Sequence, residues 1–173
     1  MRVGIGYDSH AFAPGAKGRK LVLGGVEIPH NKVLAGHSDA DVVAHALTDA
    51  LLGAAGLGDI GRLFPSDDPR FKNADSIKLL SEAFLKVVEA GFTFSYADVT
   101  VIAEQPKLAP HVERMEERLA EALMCPPSHI SVKGKTNDGM GWIGQGQGIA
   151  AIAVATLAEP AAPRMSGGLT GLP

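Results

Sequence analysis

Cysteine occurs once in the chain, at Cys125. An intramolecular disulfide and a thiolate-rich metal site are therefore excluded, and a reducing cytoplasm is the expected location. Aromatic residues make up only 5% of the sequence, so small aliphatic side chains and glycine must fill much of the interior. Charge of one sign is also scarce: the formal net charge is -3 and there is no long basic run. Nothing here could neutralise many phosphates of a nucleic-acid backbone, and any phosphate binding is expected to be local. Met1 is not followed by the basic leader and apolar core of a signal peptide. The longest nearly uncharged stretch, Trp142 to Ala158, is broken by Gln145, Gln147 and three glycines. It falls short of a membrane span and reads as a loop entering a strand.

What is present fits one folded domain. The chain has 173 residues, 46% of them hydrophobic and 20% charged, which suits a single globular unit. We expect that unit to cover 1–158, with 159–173 as a flexible Pro/Gly-rich tail. Val3, Ile5 and Tyr7 alternate with small residues, predicting a first strand that ends near Tyr7. LVLGGVEIP reads as a hairpin turning at Gly24-Gly25, expected to join the same sheet. Helical spacing of Val43, Ala46, Leu47, Ala50, Leu51 and Ala54 predicts a helix from about Asp39 to Ala54, opened by a Ser38/Asp41 capping box. A long Gly/Pro/Asp segment follows, of a kind usually functional or mobile. A second helix is predicted over Ser76 to Ala90, then a strand in YADVTVIAE, a third helix with Pro110 in its first turn, and closing strands in HISVKGK and IAAIAVATL. The order points to a ferredoxin-like, split βαβ α/β sandwich with an added hairpin, one mixed sheet packed against helices.

Three groups of residues carry chemistry. Asp8 and His10, two apart on an extended segment, point to one side and can share an ion, although such a triplet taken alone more often forms a plain turn with its side chains in water. His37 and Ser38 stand at the start of the first helix, where free N–H groups and the dipole favour an anion, while Asp41, His45 and Asp49 follow at four-residue intervals. That face also reads as a solvated acidic surface with a capped end. Together, Asp8, His10 and His45 offer an Asp/His/His set with one tetrahedral position open, and Asp41 and Asp49 are candidate acceptors behind the histidine. The third group is Lys133-Gly-Lys135-Thr136-Asn-Asp138, able to hold phosphates and a hard cation. The G-x-x-x-x-G-K-[ST] spacing of a P-loop is absent, and GQGQG is followed by a strand and not by the helix of a dinucleotide fingerprint.

GYDSHAF, LGGVEIP, AGHSDADVVAHALTDALLGAAGLGDIGRLFP, DPRFKNADS, DVTVIAEQPKLAPH and VKGKTNDGMG occur in this order over Arg2 to about Leu157. The chain thereby resembles the 2-C-methyl-D-erythritol 2,4-cyclodiphosphate synthase family, lyases of non-mevalonate isoprenoid biosynthesis. The resemblance implies a homotrimer that closes 4-diphosphocytidyl-2-C-methyl-D-erythritol 2-phosphate into the cyclic diphosphate and releases CMP, with sites at subunit boundaries. It implies zinc, or another divalent transition metal, on Asp8, His10 and His45, and magnesium or manganese on Asp138. His37, Thr136 and Asp138 are implied to be catalytic. The substrate-binding set it implies comprises Asp8, His10, His37, Ser38, Asp49, Asp59, Ile60, Gly61, Asp68, Ala103, Pro106, Lys107, Leu108, Ala109, Lys135 and Thr136. Two departures stand out: Asp138 replaces the family's usual Glu, and Gln145 and Gln147 replace a common Arg and Glu. The alternatives are a trimeric metal-containing protein that binds a cytidine nucleotide without turnover, and a zinc-dependent diphosphate hydrolase.

Overall fold

The computed structural model describes residues 1–14 and 19–159. Its principal sheet is mixed and five-stranded, in the order β4-β1-β7-β5-β6, where β1 is Arg2–Pro14, β4 is Lys32–Leu34, β5 is Thr93–Ile102, β6 is Ile130–Lys135 and β7 is Gly148–Ala158. β7 runs antiparallel to both β1 and β5 and lies between them, and β6 is parallel to β5. β1 and β5 therefore point the same way with a strand inserted between them, the split βαβ arrangement expected of a ferredoxin-like sandwich. The principal helices, α1 (Val42–Ala55), α3 (Ser76–Glu89) and α4 (Val112–Ala122), connect these strands. A short α2 (Ile60–Leu63) lies in the Gly/Pro/Asp segment, and α5 (Gly141–Gly144) precedes β7.

The packing of α1 on the sheet follows from small residues. Gly4 and Gly6 of β1 and Ala151, Ala153 and Ala155 of β7 are buried on the helix side. A Cβ built on Gly4 would lie 2.0 Å from the Ala50 carbonyl oxygen, and one on Gly6 would lie 1.9 Å from that of Ala46. The helix backbone thus rests directly on the strand, a separation that only glycine permits. The other face of the sheet is open: Val3, Ile5 and Tyr7 are 61%, 71% and 55% exposed, and Ile152 and Val154 continue the patch on β7. Register places Tyr7 beside Ile152 and Ile5 beside Val154, so this apolar surface is continuous.

Four expectations are corrected. β1 does not end near Tyr7 but continues to Pro14, because Asp8 to Ala11 pair with β7 and Phe12, Ala13 and Pro14 with β4. The hairpin of β2 (Leu21–Leu23) and β3 (Val26–Ile28) forms its own two-stranded sheet and does not join the main one. Gly24 and Gly25, with φ of 57° and 72°, make the tight two-residue turn. Helix α1 starts at Val42 and not near Asp39, since Ala40 is left-handed with φ 61° and interrupts the helical run. Asp41 is the N-cap itself, accepting from the amides of Val43 and Ala44 at 3.0 and 3.1 Å; Ser38 instead accepts from the Ala40 amide. Separately from these, Glu159 at the expected domain boundary accepts from Arg2 Nε at 3.0 Å, and the rest of the expected tail, 160–173, lies outside the described residues. No helix among the described residues is long and apolar enough to cross a membrane.

Candidate metal centre and substrate cavity

Asp8 and His10 follow Gly4 and Gly6 on the side of β1 that faces α1. Where the glycines stop, the strand no longer touches helix backbone, and side chains can fill the gap near the start of α1. His45 enters that gap from the helix. Its Nδ1 lies 3.0 Å from Asp8 Oδ2, and His10 Nε2 lies 3.1 Å from the same oxygen. One ligand atom from each of the three residues falls within 4.8 Å of the others. Ligands of a tetrahedral zinc ion are separated by roughly 3.3 Å, given metal–ligand bonds of about 2.0–2.1 Å. The donor set therefore fits a divalent cation with minor adjustment, and the two-residue spacing on β1 is what brings Asp8 and His10 together.

The electrostatics agree. Burial opposes ionisation of Asp8, but hydrogen bonds from His10 and His45, with their positive charge, hold its carboxyl well below the ordinary range. For His45, burial works against the proton, yet the Asp8 hydrogen bond and the charges of Asp8, Asp41 and Asp39 raise its pKa above the usual value.

A cavity of about 450 Å³ opens over this cluster. Its polar wall includes His37 and Ser38 from the turn before α1, and the α2 segment contributes Ile60 and Gly61. Asp59 caps α2 by accepting from the Arg62 amide at 2.9 Å. Asp49 Oδ1 accepts from the Ile60 amide at 2.7 Å, tying α1 to that segment; its pKa is raised by burial and by the nearby Asp59 and Asp8, against that hydrogen bond. Asp68 does not line the cavity: it caps the turn at Pro69–Phe71 and pairs with the Arg70 guanidinium at 2.6 Å, while Asp67 faces inward.

Two roles read from the helix face are revised. Asp41 does not stand behind His45; it is fully buried, and besides the two helix amides it accepts from Gly24 and Gly25 at 2.8 and 2.7 Å, clamping the hairpin turn to α1. Because it occupies the Val43 and Ala44 amides, these donors are not free for an anion. The nearer of two hydroxyls at the outer nitrogen of His45 is that of Ser76, at 2.8 Å from Nε2, with Ser38 Oγ at 3.3 Å. Nothing in the local sequence signals the Ser76 contact. Phe64 and Phe71, stacked edge to face with centroids 5.2 Å apart, also line the cavity and escaped a reading based on periodicity.

The third group lies elsewhere on the same chain. Ala103, Pro106, Lys107, Leu108 and Ala109 form a second pocket, of about 290 Å³, with Lys135 and Thr136 from the end of β6. Thr136 Oγ1 donates to Asp138 Oδ1 at 3.0 Å, and Asp138 is left-handed with φ 50°. Glu104 holds this loop by accepting from the Asn137 amide at 2.7 Å, a role that sequence reasoning did not identify. Across the sheet, Asp8 is level with Ala151, Ala151 with Val101, and Val101 with Gly134. Three strand spacings, roughly 14 Å, therefore separate the metal-ligand strand from the Thr136 strand. Gln147 Nε2 donates to Gln145 Oε1 at 2.9 Å, so the two departures in the glycine-rich segment form one neutral pair.

Comparison with known proteins adds four findings. Residues 1–158 match the model of the YgbB family. The chain is 55% identical over 159 residues to the 2-C-methyl-D-erythritol 2,4-cyclodiphosphate synthase of Moorella thermoacetica, covering 92% of this chain and 96% of that protein. Among solved structures it is similar to the bifunctional IspDF of Campylobacter jejuni, with TM-score 0.85 and 44% identity over 90% of this chain and 42% of that one. It is also similar to IspF of Plasmodium falciparum in complex with CDP, with TM-score 0.79 and 34% identity over 92% and 97% of the two chains.

Proposed function

From the membership of this chain in the YgbB family, we infer that it is a phosphorus-oxygen lyase, a 2-C-methyl-D-erythritol 2,4-cyclodiphosphate synthase. It converts 4-diphosphocytidyl-2-C-methyl-D-erythritol 2-phosphate to the cyclic diphosphate and CMP. An oxygen of the 2-phosphate forms a bond to the phosphorus nearest the methylerythritol, and the bond from that phosphorus to the CMP oxygen breaks. Nucleophile and electrophile belong to one molecule, so no protein nucleophile is needed. Holding the two groups in line can supply about 7–11 kcal/mol of barrier reduction.

The observation that carries the site assignment is the convergence of Asp8, His10 and His45 on one point at the floor of a cavity. On our reading these residues hold zinc or a similar transition metal, and Asp138 holds magnesium or manganese; such cations polarise phosphate oxygens and neutralise charge on the departing CMP. His37 and Ser38 orient the phosphates from the cavity wall, and Asp49, through Ile60, fixes the segment Asp59 to Gly61 beside the sugar. Phe64, Pro65 and Phe71 make part of the wall apolar, which limits access of water, the competing nucleophile. Asp68 holds Arg70, whose guanidinium lies over the Phe71 ring of this wall. Cytidine is assigned to the pocket of Ala103, Pro106, Lys107, Leu108 and Ala109, with Lys135 and Thr136 toward its phosphates.

The working unit is a homotrimer in the cytoplasm whose sites combine the metal cluster of one subunit with the nucleotide pocket of the next. Two features support this assembly. The separation of roughly 14 Å between the two strands leaves each subunit with two half-sites, and the open sheet face presents a continuous apolar surface in need of cover. Product analysis tests the reaction. Phosphorus NMR and mass spectrometry should find CMP and a cyclic diphosphate in equal amounts; an open-chain diphosphate would indicate a hydrolase, and an unchanged substrate a binding protein.

A further inference from the structure

We propose that Asp39 and Ser76 form a one-way hydrogen-bond relay that sets the tautomer of His45, leaving its Nδ1 lone pair to face Asp8 and His10 as a metal ligand. The proposal rests on the metal reading above, and it assigns a positioning role to two residues outside the cavity wall.

The direction of the relay follows from what each group can do. Ser76, 1% exposed, is the first residue of α3. Its amide donates to Asp39 Oδ2 at 3.1 Å, and its hydroxyl donates to Asp39 Oδ1. An ionised carboxylate only accepts, so the single Ser76 hydroxyl proton is committed to Asp39. What Ser76 Oγ then offers His45 Nε2, 2.8 Å away, is a lone pair. A neutral imidazole has one N–H, and this acceptor draws it to Nε2. The opposite tautomer has its own attraction, since Nδ1 lies 3.0 Å from Asp8 Oδ2 and an Nδ1–H would point straight at that oxygen. Without the relay, the ring can hold its proton on the nitrogen that must bind metal. Ser38 Oγ is a poorer acceptor, at 3.3 Å from Nε2 and already receiving the Ala40 amide at 3.1 Å.

The backbone keeps the relay in register. The Asn73 amide donates to the His37 carbonyl at 2.7 Å and the Asp39 amide to the Ala74 carbonyl at 3.2 Å, joining the turn before α1 to the start of α3. Both ends of the Ser76–Asp39 contact are thus fixed independently of the contact itself.

The test uses the full chain, zinc alone and a competing chelator, with no substrate. Ser76→Ala removes the acceptor, and Asp39→Asn keeps its shape but can donate to Ser76, turning the hydroxyl toward His45. Each variant should bind zinc roughly 10- to 100-fold more weakly, the usual effect of losing a partner behind a metal-bound histidine. Imidazole nitrogen shifts of neutral His45 in metal-free protein should report Nε2–H in the wild type and a larger Nδ1–H population in Asp39→Asn, a signature that simple destabilisation would not produce. Wild-type affinity in both variants, or Nδ1–H in the wild type, overturns the relay; the wild-type spectrum decides even if a variant fails to fold. A wild type that binds no zinc overturns the metal reading and the relay with it. One that binds zinc without making the cyclic product overturns the reaction assignment alone.

Discussion

Replacing Gly6 by Ala should separate the strand from the helix that carries His45. The added Cβ would lie 1.9 Å from the Ala46 carbonyl oxygen and 2.7 Å from the Ala50 amide nitrogen. Both are backbone atoms of α1, so no side-chain rotation relieves the clash. Ordinary contact lies near 3.5 Å, which requires a local displacement of roughly 1.5 Å. Overpacking of this kind typically costs about 1–3 kcal/mol, or some 2–12 °C in melting temperature for a chain of this size. His45 immediately precedes Ala46, and a metal site tolerates ligand errors of only about 0.2 Å. Zinc affinity should therefore fall more than about tenfold, beyond what lost stability explains. Gly53→Ala is the control: it lies on the same helix, its Cβ would meet nothing closer than Ile5 O at 3.9 Å, and there alanine should stabilise by about 0.5–1 kcal/mol. Thermal unfolding in chelator and zinc competition measure both effects. A Gly6→Ala protein with the melting point and zinc affinity of the wild type would refute the close-approach account of how the cluster is positioned.

Asp8→Ala or His45→Ala should leave the chain folded yet strip tightly bound zinc and nearly all turnover, because three protein ligands are the minimum for an open tetrahedral site; full zinc occupancy by elemental analysis would be the contrary result. In metal-free protein, the raised pKa of His45 means its contribution to stability is complete below 6.5 and is lost as pH rises through the folded value, whereas that of the depressed Asp8 is complete above 3.8 and is lost on acidification. The melting-temperature gap between wild type and His45→Gln should therefore be widest between those two values and narrow on either side, and a gap that widens toward alkaline pH would contradict the ion pair. Asp138→Ala should keep zinc but raise the magnesium concentration needed for half-maximal rate, which a magnesium titration reads directly. Mixing subunits of a His45→Ala variant with those of a variant obstructed at Lys107 should restore part of the activity, because some boundaries then carry neither lesion; no recovery after verified exchange would count against shared sites.

The parts of the site legible in the sequence were those set by local spacing. Two residues apart on a strand brought Asp8 and His10 together, and helical periodicity marked the segment carrying His45. Local spacing also misled where a distant partner competed for the same group. Asp41 reads as part of an acidic helix face, but the hairpin amides of Gly24 and Gly25, some 17 and 16 residues earlier, claim its carboxylate. Ser76 reads as the start of a helix, and only the fold brings it to His45, 31 residues away. β4 is three residues long, too short for alternation to announce it, yet its pairing extends β1 from Ala11 to Pro14. The separate hairpin sheet depends on the same kind of information, since its strands look like any other until their neighbours are known.

The insertion of β7 between β1 and β5 also sets the order of events during synthesis. Ten residues of β1, from Arg2 to Ala11, find their partners in Gly148–Leu157. Until that stretch has left the ribosome, β1 and β5 flank a vacant strand position, each with unpaired amides and carbonyls along one edge. Most of the chain must wait in that condition for its late-made central strand, and pairings between segments so far apart close slowly. The nascent chain thus has a long interval in which a strand from another molecule can fill the gap, the kind of exposed edge that makes incompletely folded chains prone to aggregate.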